Sequence, residues 1–189
     1  MMVLLDCDDV LLDWIGGFRD WCSAKLGREI AGEPQSWDMS EWLGVSEEEA
    51  KALIAEHNAG PHFGELEAVS GAKEGVATWV ATKQIRLHVI TSCSSDAETV
   101  ARRKTNLQVV FGDVFDSIHC LDLGQSKLQL LQSFRPGSLW VEDNFKNALL
   151  GVEAGHNVAM RERPHNLEFK KKDVPGNLKW FSDWSELAG

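Results

Sequence analysis

Leu4-Leu5-Asp6-Cys7-Asp8-Asp9-Val10-Leu11, almost at the start of the chain, is the stretch whose reading decides the fold. The apolar run ending at Leu5 is too short to cross a membrane and stops abruptly at carboxylates, as a buried parallel strand does where it surfaces at its carboxyl end. Open α/β sheets place their ligands at that end. Residues two apart on an extended backbone project to the same side, so Asp6 and Asp8 can converge on one point. Two converging carboxylates repel each other and invite a hard divalent cation, with Mg2+ the natural candidate for oxygen ligands. The plainer reading of these residues is a strand followed by an acidic turn.

Further along, apolar residues recur at helical spacing over Trp14–Leu26, with Gly27 placed to end the run. Residues 32–42, with Pro34, Trp37 and Trp42, read as a loop. Ser46 caps a second helix that carries Glu47, Glu48 and Glu49 in its first turn and runs to about Asn58, before the Ala59-Gly60-Pro61 break. Residues 13–65 therefore read as a small helical insertion after the first strand, leaving 1–12 and 66–189 as the core.

From Gly71 helix and strand alternate. Helices are predicted over 72–83, 95–107 (capped by Ser94 or Ser95), 125–134 and from 145 to about 154. Strands are predicted over 85–90, ending at Thr91-Ser92, over 118–121, over 138–141, ending at Glu142-Asp143, and over 157–160. Repeated units of this length predict an α/β fold with a doubly wound parallel sheet wrapped by helices. Lys170-Lys171-Lys172 reads as a solvated loop, and the tail with Trp180 and Trp184 as a segment folded back to bury its indoles.

Composition narrows the function. At 189 residues, 43% hydrophobic and 25% charged, the chain suits one sizeable core. Its formal charge of −10 argues against a polynucleotide as main partner. The segment before Asp6 does not read as a leader, and no later segment reads as a membrane span, which predicts a cytoplasmic protein. Cys7, Cys22, Cys93 and Cys120 lack a Cys-x-x-Cys pair and read as free thiols.

Three predicted strands thus end in different polar groups, Asp6 with Asp8, Thr91 with Ser92, and Glu142 with Asp143, and Lys127 opens the helix before the third. A nucleophile, hydroxyl donors, a fixed cation and metal-binding carboxylates are the parts needed to transfer a phosphoryl group. Each has an ordinary alternative as a cap, a turn or a surface lysine. Their occurrence at successive strand ends of one sheet favours the joint reading.

This order, Asp6-x-Asp8, then Thr91, then Lys127, then Glu142-Asp143 with Asn147 following, resembles the four motifs of the haloacid dehalogenase superfamily of phosphohydrolases. Within it, Asp6 to Phe18 resembles the DxDGVLxDFxGGF opening of the 5'(3')-deoxyribonucleotidases, and Phe63-Gly64-Glu65-Leu66-Glu67 is similar to that family's phenylalanine-rich return to the core. The resemblance implies a Mg2+-dependent phosphatase acting on a small phosphomonoester, most specifically a nucleoside monophosphate. Asp6 would be the nucleophile and Asp8 the general acid and base. Mg2+ would sit between Asp6, the backbone carbonyl of Asp8 and Asp143, while Thr91 and Lys127 hold the phosphoryl oxygens and Ser92 adds a contact. Glu142 would stand behind the metal ligands, and Asn147 would orient the metal's waters. The insertion at 13–65 would be a cap, offering Trp14, and more weakly Trp37 and Phe63, as substrate contacts.

Three positions depart from the family pattern: Asp9 replaces the usual glycine, Glu142 stands where aspartate is common, and Gln125 occupies a place where the nucleotidases often carry arginine. The competing expectations are a phosphatase of sugar phosphates or nucleic-acid ends, a non-enzymatic phosphoacceptor of the response-regulator type, and a protein that only binds a ligand.

Overall fold

The computed structural model describes residues 1–82 and 84–188. Six strands form one all-parallel sheet: β1 (Met2–Leu5), β2 (Arg86–Ser92), β3 (Ser117–Leu121), β4 (Leu139–Glu142), β5 (Asn157–Arg161) and β6 (Leu178–Phe181), in the order β3-β2-β1-β4-β5-β6. The order reverses beside β1, so the crevice between the carboxyl ends of β1 and β4 is a topological switch point. Leu5 is level with Val89 and Val141, and the Asp6 N–H continues the ladder to the Val141 carbonyl at 2.9 Å.

Helices cover both faces, as expected of a doubly wound sheet. Val3 and Leu5 share one buried cluster with Val76 of α4 (Ala72–Ala81) and Leu107 of α5 (Ala97–Phe111). Leu4 points the other way, into a cluster with Leu131 of α6 (Leu128–Ser133) and Ala148 of α7 (Phe145–Glu153). This alternation along β1 is the period of an extended strand buried on both faces. At the C-terminus α8 (Ser185–Ala188) follows β6, and Trp184 packs so tightly on α4 that a Cβ at Gly75 would lie 2.6 Å from its indole.

Between β1 and α4 the chain is helical. α1 (Trp14–Leu26) is capped by Asp13, whose carboxylate accepts from the Gly16 N–H at 3.2 Å, and ends where Gly27 turns left-handed at φ 63°. α2 (Met39–Leu43) and α3 (Glu47–Ala59) follow, then a 3-10 turn at Pro61–Gly64. Ser46 caps α3 as expected, accepting from the Glu49 N–H at 3.1 Å. Phe18, Leu43, Leu53 and Phe63 belong to the same buried cluster as Val3 and Leu5, so this segment shares the core of the sheet's face.

Several local expectations are corrected. α2 begins within the stretch read as a loop and runs just past its end, because Asp38 caps it through the Ser40 and Glu41 N–H groups. α5 starts at Ala97 and is capped by Asp96, which accepts from the Thr99 N–H at 2.9 Å; Ser94 instead accepts from the Asp96 N–H, and the Ser95 N–H is held by Asp122. α4 ends at Ala81; its expected last residue, Lys83, lies outside the described residues. α6 is shorter than the predicted 125–134. β6 was not foreseen as a strand: it holds Trp180, half-buried, while Trp184 just beyond is fully buried. The Lys170–Lys172 run is exposed as expected, at the end of a 3-10 turn over Pro164–Lys171.

Candidate active site

Asp6, Asp8, Asp9, Lys127, Glu142 and Asp143 all line one cavity of about 310 Å³ at the switch point. Asp6 leaves the end of β1 and is buried. Lys127, 1% exposed at the start of α6, donates to Asp6 at 2.7 Å and to Glu142 at 2.9 Å. The other Glu142 oxygen accepts from the Asp143 and Asn144 N–H groups, each at 3.0 Å. Glu142 therefore orders the β4 terminus while sharing the lysine. One carboxylate oxygen from each of Asp6, Glu142 and Asp143 lies within 4.8 Å of the others.

Burial and the neighbouring Glu142 charge push the Asp6 carboxyl up to about 7 despite Lys127. Burial also lifts Asp8, to about 6, against the pull of Arg103, and raises Glu142. Burial by itself would lower Lys127, but Asp6 and Glu142 hold it above its ordinary value. One ammonium among three close carboxylates leaves an excess of negative charge, a donor set of hard oxygens that suits a divalent cation such as Mg2+.

Asp8 is held differently. Arg103, fully buried on α5, donates to it at 2.6 Å and stacks its guanidinium 3.8 Å from the Phe63 ring centre. Phe63 is thus the platform for Arg103 and does not line the cavity, which corrects its reading as a substrate contact. Thr91 is also fully buried, with its hydroxyl unpartnered among the described residues, and lies behind the cavity surface rather than on it. Ser92 and Asn147 do line the cavity. Trp14 and Trp37 form part of its apolar side with Met39, Ile54 and Leu123.

The end of β5 supplies groups that sequence reasoning missed. Buried His165 meets Asp143 at 3.1 Å, and Asn166 donates to the Asp143 carbonyl at 2.7 Å. Arg161 donates to the Asp9 carbonyl, while Arg163 approaches the Asp9 carboxylate at 3.5 Å and Glu33 at 3.1 Å. Asp9 adopts φ 57°, the left-handed region that glycine tolerates best, and its carboxylate accepts from the Ile15 N–H at 3.1 Å. The signal for this group was present: Arg161-Glu162-Arg163 follows an apolar strand as directly as Asp6 follows β1. Arg103 carried none, standing in the basic run Arg102-Arg103-Lys104.

The four cysteines are free, and Cys93 lies beside Cys120. A larger hollow of about 560 Å³, lined by Asp13, Arg19, Asp20, Glu65 and Glu67 among others, has, among the described residues, neither a buried lysine nor a close carboxylate cluster. Among the described residues, no helix is long and apolar enough to cross a membrane.

No protein-family model matches the chain, and no curated protein matches it. Solved structures do. A haloacid dehalogenase-like hydrolase from Streptococcus pneumoniae is 15% identical with a TM-score of 0.64, covering 99% of this chain and 96% of its own. A protein described as a predicted phosphatase from Clostridium acetobutylicum is 16% identical with a TM-score of 0.67, covering 99% and 95%. D,D-heptose 1,7-bisphosphate phosphatase from B. bronchiseptica, solved with magnesium and phosphate, is 14% identical with a TM-score of 0.61, covering 99% and 95%. The chain has the haloacid dehalogenase-like hydrolase fold over nearly its whole length.

Proposed function

We propose that the protein is a Mg2+-dependent phosphatase of small phosphomonoesters, with a nucleoside monophosphate as the favoured substrate. The observation that carries this reading is Asp6, held by buried Lys127 beside Glu142 and Asp143 on the surface of the switch-point cavity.

An Asp6 oxygen attacks phosphorus, the bond to the leaving oxygen breaks, and Asp8 gives that oxygen its proton. Asp8, now ionised, takes a proton from water as the water attacks the aspartyl phosphate, which releases phosphate and frees Asp6. Lys127 steadies Asp6 and offsets charge on the phosphoryl oxygens, with Ser92 as the hydroxyl at the cavity surface and the buried Thr91 hydroxyl directly behind it at the end of β2. Asp6, Asp143 and the Asp8 carbonyl would hold Mg2+, which would neutralise charge gathering on the phosphoryl group. Asn147, at the cavity surface, is assigned to ordering water there. Residues 13–65 serve as the cap, whose tryptophans exclude water from the reacting centre and give a flat ring an apolar face.

The strand order favours this over a phosphoacceptor of the response-regulator type, whose sheet runs 2-1-3-4-5. The test is hydrolysis of an aryl phosphate and a panel of nucleoside and sugar phosphates, with Mg2+ and with chelator. Turnover that needs Mg2+ and disappears in Asp6→Asn is expected. Undiminished activity of Asp6→Asn would remove the mechanism, and a preference for sugar phosphates would remove the nucleotide assignment.

A further inference from the structure

Asn58, the penultimate residue of α3, lines the cavity while only 6% exposed. Its side-chain oxygen accepts from the Trp14 indole N–H at 2.9 Å and lies 3.3 Å from His57 Nδ1. An indole nitrogen only donates, so the amide cannot be turned round: its oxygen faces Trp14 and its NH2 group faces away. Among the described residues that NH2 group has no hydrogen-bond partner, yet it is not sealed from the cavity surface.

The arrangement is costly. His57 is fully buried among the rings of Trp14, Phe18, Trp21 and Phe63, and its Nε2 is unpartnered. Burial lowers His57 to about 4, so it is neutral and can use Nδ1–H on Asn58. An apolar residue in place of His57 would avoid the buried orphan Nε2. What the triad achieves is one amide fixed in orientation, with free donors, beside the apolar side formed by Trp14, Met39 and Ile54.

We infer that Asn58 is a specificity residue: its amide N–H donates to a hydrogen-bond acceptor on the leaving group of the bound phosphomonoester. The cavity then selects a ring that presents a carbonyl oxygen there over one that presents an amino group. This rests on the phosphatase reading for the identity of the ligand. A donor left facing a donor, both out of water, typically costs one to two orders of magnitude in affinity, roughly 10–100-fold.

The test uses matched nucleoside monophosphates that exchange an oxo group beside a ring N–H for an amino group beside a bare ring nitrogen, uridine against cytidine and inosine against adenosine. Binding is measured by calorimetry with Mg2+ on the Asp6→Asn protein, so that turnover plays no part. At least one oxo ligand should bind about 10-fold or more tightly than its amino partner. Adding Asn58→Asp keeps the acceptor that Trp14 requires but replaces the donor, and should abolish or reverse that ratio. Trp14→Phe, which unpins the amide, should bring it towards one. Equal affinities within both pairs, an unchanged ratio in Asn58→Asp, or no binding of any of the four would overturn the inference. Selective binding without hydrolysis by the wild-type chain would leave it standing while removing the phosphatase reading.

Discussion

Asp6 and Asp8 stand two residues apart, yet each has its own buried cation, and the two cations are of different kinds. Asp6 meets Lys127, a compact charge shared with Glu142 across the ends of β1 and β4. Asp8 meets Arg103, a planar guanidinium lodged between α5 and the Phe63 ring. The first group belongs to the sheet, and the second is built from helices that the sheet only supports. A point charge can serve two carboxylates and an incoming phosphoryl group together, whereas a stacked guanidinium fixes the direction of a single carboxylate. In the proposed mechanism this neutralises the nucleophile and aims the proton donor.

Lys127→Met should have the largest effect. It leaves Asp6 and Glu142 without their ammonium, and removing one partner of a buried pair costs about 3–5 kcal/mol. Phosphatase activity should fall by roughly 10³-fold or more, in line with loss of a preorganised charge at the phosphoryl group. Urea unfolding of the metal-free protein should show the stability loss, and added Mg2+ should restore part of it.

Arg103→Met tests the other half. If Arg103 aims Asp8 at the leaving oxygen, its loss should matter where the leaving group needs a proton and little where it does not. Expected is a drop in kcat of about 100-fold on an alkyl phosphate against less than about 10-fold on 4-nitrophenyl phosphate. Equal losses on both would reduce Arg103 to a packing role on Phe63.

A smaller effect separates the two aspartates by pH. The folded carboxyls of Asp6 and Asp8 are raised from 3.8 to about 7 and about 6. Over those windows the folded chain binds more protons than the unfolded one, so their ionisation removes stability as pH rises from about 4 to 7. His57, lowered from 6.5 to about 4, acts in the opposite direction between those values. Comparing Asp6→Asn with wild type cancels His57. Without metal, the melting temperature of the variant should gain on wild type by about 5 °C between pH 5 and pH 8, corresponding to roughly 2 kcal/mol. The slope carries the information, since the lost contact with Lys127 only offsets the curve. A flat difference would mean that Asp6 ionises freely.

The same division governs what could be read from the chain. Asp6, Lys127, Glu142 and Asp143 were legible because each sits where a periodic run stops or starts, and a parallel sheet brings such points together. Arg103, Asn58 and His165 were not, because they reach the site from within helices or a 3-10 turn, where helical spacing gives a face but no partner. Phe63 shows the converse: a motif supplied the residue and not its direction, which tertiary packing turned beneath Arg103. β6 escaped because Leu178-Lys179-Trp180-Phe181 is four residues long, follows a charged stretch, and alternates too briefly to stand out.

Trp37 should give the smallest effect and the sharpest view of the helical half. It is 42% exposed, lies 4.2 Å from the His165 ring between centres, and borders the cavity. A ring so open contributes little to folding, so Trp37→Ala should change stability by no more than about 0.5 kcal/mol. If its free face covers the substrate's ring, KM for a nucleoside monophosphate should rise about 5–150-fold, the range expected for losing one base-stacking contact. KM for 3-carbon sugar phosphates, which have no ring to stack, should stay within about twofold on the same reasoning. A uniform rise for both would mean that Trp37 acts through His165 on Asp143, placing it with the sheet-built half of the site.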